Sequence, residues 1–239
     1  PVEGYSAELR DTLRMTLERQ ECYREYALHN DYTPLPWPGT GDVGDFDGTL
    51  ALLHELLDGE APRPTSFENY YTQLRNKIEA LGVLVMRNSV VGNNVHRWLD
   101  RNEFRGVAIS DNRAPVIFIN TADTPQAQIF TLLHEFAHLL LGESGVSDLS
   151  PRNLRKIERV CNRLAAEFLV PSADFSELWR SDLKDWQANL PVLARHFHVS
   201  QWVIASEALS GRMLLRDASR LIGVRPEKIK GFAREELGF

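Results

Sequence analysis

The sequence predicts an α+β protein, mostly helical, with a small sheet of three or more strands packed on one apolar helix and a helical C-terminal region resembling a helix-turn-helix. Three observations lead there. Amphipathic stretches of helical period open and close the chain. Short β-branched runs gather between residues 83 and 119. Immediately afterwards, Ile129 to Leu141 is an apolar run broken only by Thr131, two histidines and a glutamate.

In order, Ser6 to His29 reads as one amphipathic helix with Leu9, Leu13, Met15, Leu17, Tyr23, Tyr26 and Leu28 among charges. From Asn30 to Gly48 the composition shifts to Pro34, Pro36, Pro38, Gly39, Gly41 and Gly44, the pattern of a linker or an arm draped over the surface. A short helix through Leu50 to Leu57 follows, and Pro62 and Pro64 then break the chain. Ser66 caps the next helix, which Gly82 ends. Val83 to Met86 is a strand candidate, and Gly92, Asn93 and Asn94 read as loop. Gly106 to Ile109 and Val116 to Ile119 form a hairpin across Asp111 to Pro115. Thr121 or Thr124 caps the apolar helix, Pro125 fits its first position and Gly142 stops it. A helix from about Asn153 to Leu169 comes next. These shifts divide the chain into residues 1–48, an N-terminal helix and arm, residues 49–182 around the apolar helix, and residues 183–239, a C-terminal helical region.

Composition bounds the function. With 43% hydrophobic and 25% charged residues among 239, the chain can bury a sizeable core. A net charge of −6, from 27 basic and 33 acidic side chains, argues against a protein whose main task is coating nucleic acid. Cys22 and Cys161 are too few for a disulfide framework, no apolar run approaches the roughly 20 residues of a membrane span, and Pro-Val-Glu-Gly does not begin a signal peptide. The expectation is a cytoplasmic protein with no membrane partner. A chain starting at Pro1 rather than Met suggests an upstream segment.

The chemistry is stated in Thr131-Leu-Leu-His-Glu-Phe-Ala-His-Leu-Leu140. At about 100° per residue, His134 and His138 project from one helical face a turn apart, as two zinc ligands do. Glu135 stands beside the first ligand, where its carboxylate reaches a water at the metal and takes its proton as catalytic base. Two core histidines and a surface glutamate would be the alternative, but ionisable groups are rarely sunk in so apolar a run without a partner.

Catalytic zinc keeps three protein ligands and an open position, so a third is required. The metzincin continuation is absent, since its Gly and His places hold Leu141 and Ser144. On the following helix Glu158 and Glu167, nine residues apart, fall on opposite faces. Glu158 borders the stripe Leu154, Ile157, Cys161, Leu164, Ala165 and Phe168, where a carboxylate needs a charge partner, whereas Glu167 points outward four residues after Arg163. This favours Glu158. Cys161, on nearly the same face, is either a small buried apolar residue or a redox-sensitive inhibitory ligand. Arg105, His96 and Arg97 are available as oxyanion stabilisers, but read more naturally as solvated side chains.

The stretches Ile129 to Gly142 and Ile157-Glu-Arg-Val-Cys-Asn-Arg-Leu-Ala-Ala-Glu-Phe-Leu-Val-Pro171, with Val91-Gly-Asn-Asn94, Phe104-Arg-Gly106 and Val116 to Asn120 before them, resemble the ImmA/IrrE family of bacterial zinc metallopeptidases. The resemblance covers roughly Phe67 to Pro171. It implies a zincin-like domain, zinc held by His134, His138 and Glu158, Glu135 as catalytic residue, and a protein substrate. That substrate would be a helix-turn-helix transcriptional repressor in a stress, DNA-damage or mobile-element circuit.

A weaker signal lies at Leu190 to Leu209, which reads as helix, turn at His198 to Ser200, and helix. Its second helix offers Gln201, Trp202, Ser206 and Glu207, little with which to read base edges, so direct DNA binding is possible but not favoured over protein packing. The last stretch, Arg212 to Phe239, reads as helical, with Pro226 as a cap and Lys228, Lys230 and Arg234 on a solvated face. The competing readings are a DNA-binding regulator that uses the metal fold as sensor or scaffold, and an antitoxin-like partner that binds without cutting.

Overall fold

A computed structural model describes residues 5–59, 66–146, 154–180, 188–201 and 203–204. The architecture is α+β, combining helices with a small mixed sheet. The chain divides into two compact units, Pro1–Ala165 and Ala166–Phe239.

In the first unit, α1 (Ala7–His29) starts where the Ser6 hydroxyl accepts from the Leu9 N–H at 3.1 Å. Its packing face is Leu9, Thr12, Thr16, Gln20 and Ala27, while Leu17, Tyr26 and Leu28, expected in the apolar stripe, are about half exposed. The polar members of that face are accommodated by local bonds: Thr16 donates to the Thr12 carbonyl and Gln20 Nε2 to the Ala114 carbonyl, both at 2.8 Å. Periodicity therefore identified the helix but not its buried side.

The expected linker after α1 is stitched down instead. Trp37 is buried, donates to the Leu81 carbonyl at 3.0 Å and lies with its ring centroid 5.1 Å from that of Phe136. Asp45 caps α2 (Phe46–Leu56), which begins four residues before the predicted start because Asp45 supplies a cap that the apolar pattern does not register. Ser66 caps α3 (Phe67–Ala80) by accepting from Asn69, and Gly82, at φ +90°, ends it.

Six strands follow or intervene: β1 (Leu84–Asn88), β2 (Val90–Val91), β3 (Asn94–Trp98), β4 (Gly106–Ile109), β5 (Val116–Asn120) and, after α4 (Pro125–Leu140), β6 (Gly145–Val146). The main sheet runs β1-β5-β4-β6, with β1 parallel to β5 and the other pairs antiparallel. β5 is buried throughout: Phe118 joins Leu9, Val91, Leu99, Phe104 and Val107 in one core, and α4 also packs on β5. The loop expected at Gly92 to Asn94 is the turn of a separate β2–β3 hairpin. It escaped the apolar pattern because Val95 and Trp98 face solvent.

The motif helix α4 takes its cap from Thr124, which accepts from Ala127, carries Pro125 in its first turn, and gives way at Gly142, φ +72°. Every residue from Thr131 to Leu140 is buried. Gly39 and Gly41 donate to the carbonyls of Leu139 and Leu140 at 3.1 and 2.8 Å, so the arm caps the helix end just past His138. Among the described residues no helix is long and apolar enough to cross a membrane.

α5 (Leu154–Leu169) leads into the second unit. There Phe168, Leu169, Val170, Phe175, Leu193, Ala194, Phe197, Val199, Val203 and Ile204 are buried. Glu167 Oε1 accepts from the backbone N–H of Ser172 at 2.8 Å, at the start of α6 (Ser172–Leu178). α7 (Asn189–Phe197) ends at His198 in the left-handed region, φ 56°, and Ser200 then accepts from Val203 as a new turn begins. The rest of the expected second helix, the Pro62/Pro64 break and the Arg212 to Phe239 segment lie outside the described residues.

Candidate metal centre

His134 and His138, one turn apart on α4, bring their Nε2 atoms to 3.1 Å. Glu158 reaches them from α5: Oε2 lies 3.1 Å from His134 Nε2, and Oε1 3.2 Å from His138 Nε2. Among the described residues these three form the group of side chains able to hold a metal ion. Both rings are almost fully buried, while the Glu158 side chain keeps 25% exposure and marks the open side.

Electrostatics ties the group together. Burial raises the Glu158 carboxyl, but hydrogen bonds from both imidazoles outweigh it and hold the group at about 2. Burial likewise opposes charge on His138, yet Cys161 and Glu158 favour it and lift the ring to about 11. Burial also pushes the Cys161 thiol up, so at neutral pH the thiol is protonated and Glu158 is the charged partner.

The donor set fits zinc. With Zn–N and Zn–O bonds near 2.0–2.1 Å, tetrahedral ligands stand roughly 3.3 Å apart. The separations of 3.1 to 3.2 Å match that edge, and two imidazoles with one carboxylate are a zinc-type donor set that leaves a fourth position open. Glu135 is wholly inaccessible and close enough for its charge to act on His138 and Cys161.

The structure thus brings together His134, His138 and Glu158, with Glu135 alongside. Cys161 is buried beside His138 but is not one of the three donors. Glu167 faces Ser172 at the start of α6, and Arg163, its expected partner, stacks over the Phe46 ring at 3.6 Å. Arg97, Arg105 and His96, read as solvated side chains, stay outside the cluster: Arg97 binds Glu8 and Asp11, Arg105 is 66% exposed near Asp123, and His96 is exposed. β5 lies between β1 and β4, so neither of its edges is open. The outer side of β4 carries β6 at Val107 and Ala108. Sequence reasoning passed over Trp37, whose signal was a lone aromatic inside a Pro/Gly-rich stretch, and Gly106, a glycine opening a strand just before the motif.

A family model described as Peptidase M78, IrrE N-terminal-like domain, matches residues 78–207, more than half of the chain, from the end of α3 through the metal group and beyond α7. A domain of unknown function (DUF8813) matches residues 203–235. No curated protein matches the chain.

Proposed function

The chain belongs to the IrrE N-terminal-like family of M78 peptidases, and from that premise we propose that it is a zinc-dependent endopeptidase acting on a protein substrate. The convergence of two α4 histidines and one α5 glutamate within 3.2 Å carries this reading. When bound, zinc would lower the pKa of a water toward about 7 and polarise the scissile carbonyl.

The chain's own residues supply the rest. Glu158 neutralises cationic charge and fixes the facing Nε2 atoms, while burial of His134 and His138 keeps bulk water from competing. Glu135, dry and adjacent, takes the proton of the attacking water and hands it to the leaving amine. We further propose that the substrate is a cytoplasmic helix-turn-helix repressor, as the family resemblance implies. The test is cleavage of the repressor encoded beside the gene. Wild type should cut it at one bond, and Glu135→Gln should retain zinc and lose about 10²- to 10⁴-fold in rate. A zinc-loaded protein that binds the repressor and leaves it intact under every activating condition would refute the proposal.

A further inference from the structure

β4 begins at Gly106, where the strand meets the motif helix. A Cβ on Gly106 would lie 2.6 Å from Glu135 Oε1, 2.7 Å from Thr131 Cγ2 and 2.8 Å from Glu135 Cγ. All three are far inside the ~3.5–4.0 Å at which carbon atoms rest against each other. The backbone here lies outside the left-handed region, so glycine is not demanded by conformation. It serves close approach. The strand cannot easily retreat, since Gly106 is buried and pairs with Ile119 on the interior strand β5.

We propose that Gly106 is a positioning residue: the bare backbone at the start of β4 is the wall that sets the rotamer from which Glu135 reaches the attacking water. This rests on the reading of Glu135 as the base. The nearest atoms belong to Glu135 and Thr131, none to His134, His138 or Glu158, so a side chain at position 106 displaces the base and spares the metal donors. The flexible end of Glu135 yields first, and a misplacement of about 1 Å costs a proton transfer roughly 10²-fold.

The experiment is a double-variant cycle on the zinc-loaded full chain, with Gly106→Ala and Glu135→Ala alone and combined. Gly106→Ala should bind zinc within about threefold of wild type, melt earlier, and regain part of that loss once Glu135→Ala removes two of the three colliding atoms, the Thr131 Cγ2 contact remaining. Equal losses in both backgrounds would overturn the proposal. If Gly106→Ala does not accumulate folded, its combination with Glu135→Ala and Thr131→Ser, which removes every colliding atom, decides: a folded product supports the steric assignment and an unfolded one refutes it. In the cleavage assay Gly106→Ala should lose about 10²-fold in kcat with KM unchanged, and add nothing on top of Glu135→Gln. Wild-type kcat in Gly106→Ala, with Glu135→Gln inactive, overturns this inference alone. A Glu135→Gln protein that cleaves normally removes the base assignment itself.

Discussion

A zinc ion taken up at the proposed site would displace a proton, and the displacement is measurable. Glu158 Oε1 lies 3.2 Å from His138 Nε2. At an effective dielectric near 20, opposite charges at that distance attract by about 5 kcal/mol, which together with the Cys161 contact favours the charged imidazole against the cost of burial. His138 accordingly stands at about 11. The sign follows from a raised folded value: the charged ring stabilises the metal-free protein fully below about 6.5, and that contribution is lost only as pH climbs toward 11. Between pH 7 and 8.5 the apo site therefore keeps its proton, while zinc requires the neutral ring. Apparent zinc affinity should rise about tenfold per pH unit, or about 30-fold over this range, against about 1.3-fold for an ordinary histidine. The assay is competition with a chromophoric chelator at constant ionic strength, in wild type and in Glu158→Gln. The variant loses both a ligand and the carboxylate that holds the proton, so it should bind more weakly but with a much flatter pH dependence. Any proton lost from a water at the metal is common to both proteins and cancels. Equal slopes in the two would refute the coupling.

Two stability predictions concern the frame around the site. Trp37→Ala removes a buried ring tilted against Phe136 and leaves the Leu81 carbonyl without its indole donor; it should cost about 3–5 kcal/mol in urea unfolding, and a loss below about 1 kcal/mol would show that Trp37 is not part of the core. Gly142→Ala forces a Cβ to 3.0 Å from the Gly39 Cα at φ +72°, and should cost about 1–3 kcal/mol, whereas an unchanged melting temperature would mean that the Gly39–Gly142 approach relaxes freely.

What the sequence made legible divides along physical lines. The motif helix was readable to its boundaries because each signal there is local: a threonine cap, a proline in the first turn, a terminal glycine and an apolar run between them. Glu158 was readable because α5 is regular, so angular position stands in for spatial position. Reading failed where tertiary bonds override local pattern. α1 buries Thr12, Thr16 and Gln20 in preference to Leu17 and Leu28, because Gln20 finds the Ala114 carbonyl 94 residues away. The β2–β3 hairpin leaves Val95 and Trp98 in solvent, so its strands lack the alternation that marks a half-buried sheet. Two-residue β6 is too short to carry any period at all.

The stretch after α1 makes the strongest case that composition misleads. Pro and Gly at such density suggest a linker, and a linker before residue 49 would make the N-terminal segment dispensable. The bonds argue the opposite. Leu139 and Leu140 are buried at the end of α4, and Gly39 and Gly41 supply donors to their carbonyls. A Cβ on Gly142 would lie 3.0 Å from the Gly39 Cα, both glycines hold positive φ, and Trp37 lies against Phe136, which stands between His134 and His138 in sequence. Removing residues 1–44 should therefore expose the end of α4, one residue after His138, and take the Gly41 donor from the Leu140 carbonyl at about 1–3 kcal/mol, while the Leu139 carbonyl keeps the Gly142 N–H. The shortened chain should bind zinc more weakly than the full chain and unfold without a single cooperative transition, read by chelator competition and urea titration. If it holds zinc with undiminished affinity and melts cooperatively, the arm is a tether after all, and the capping of Leu139 and Leu140 contributes nothing that water cannot replace.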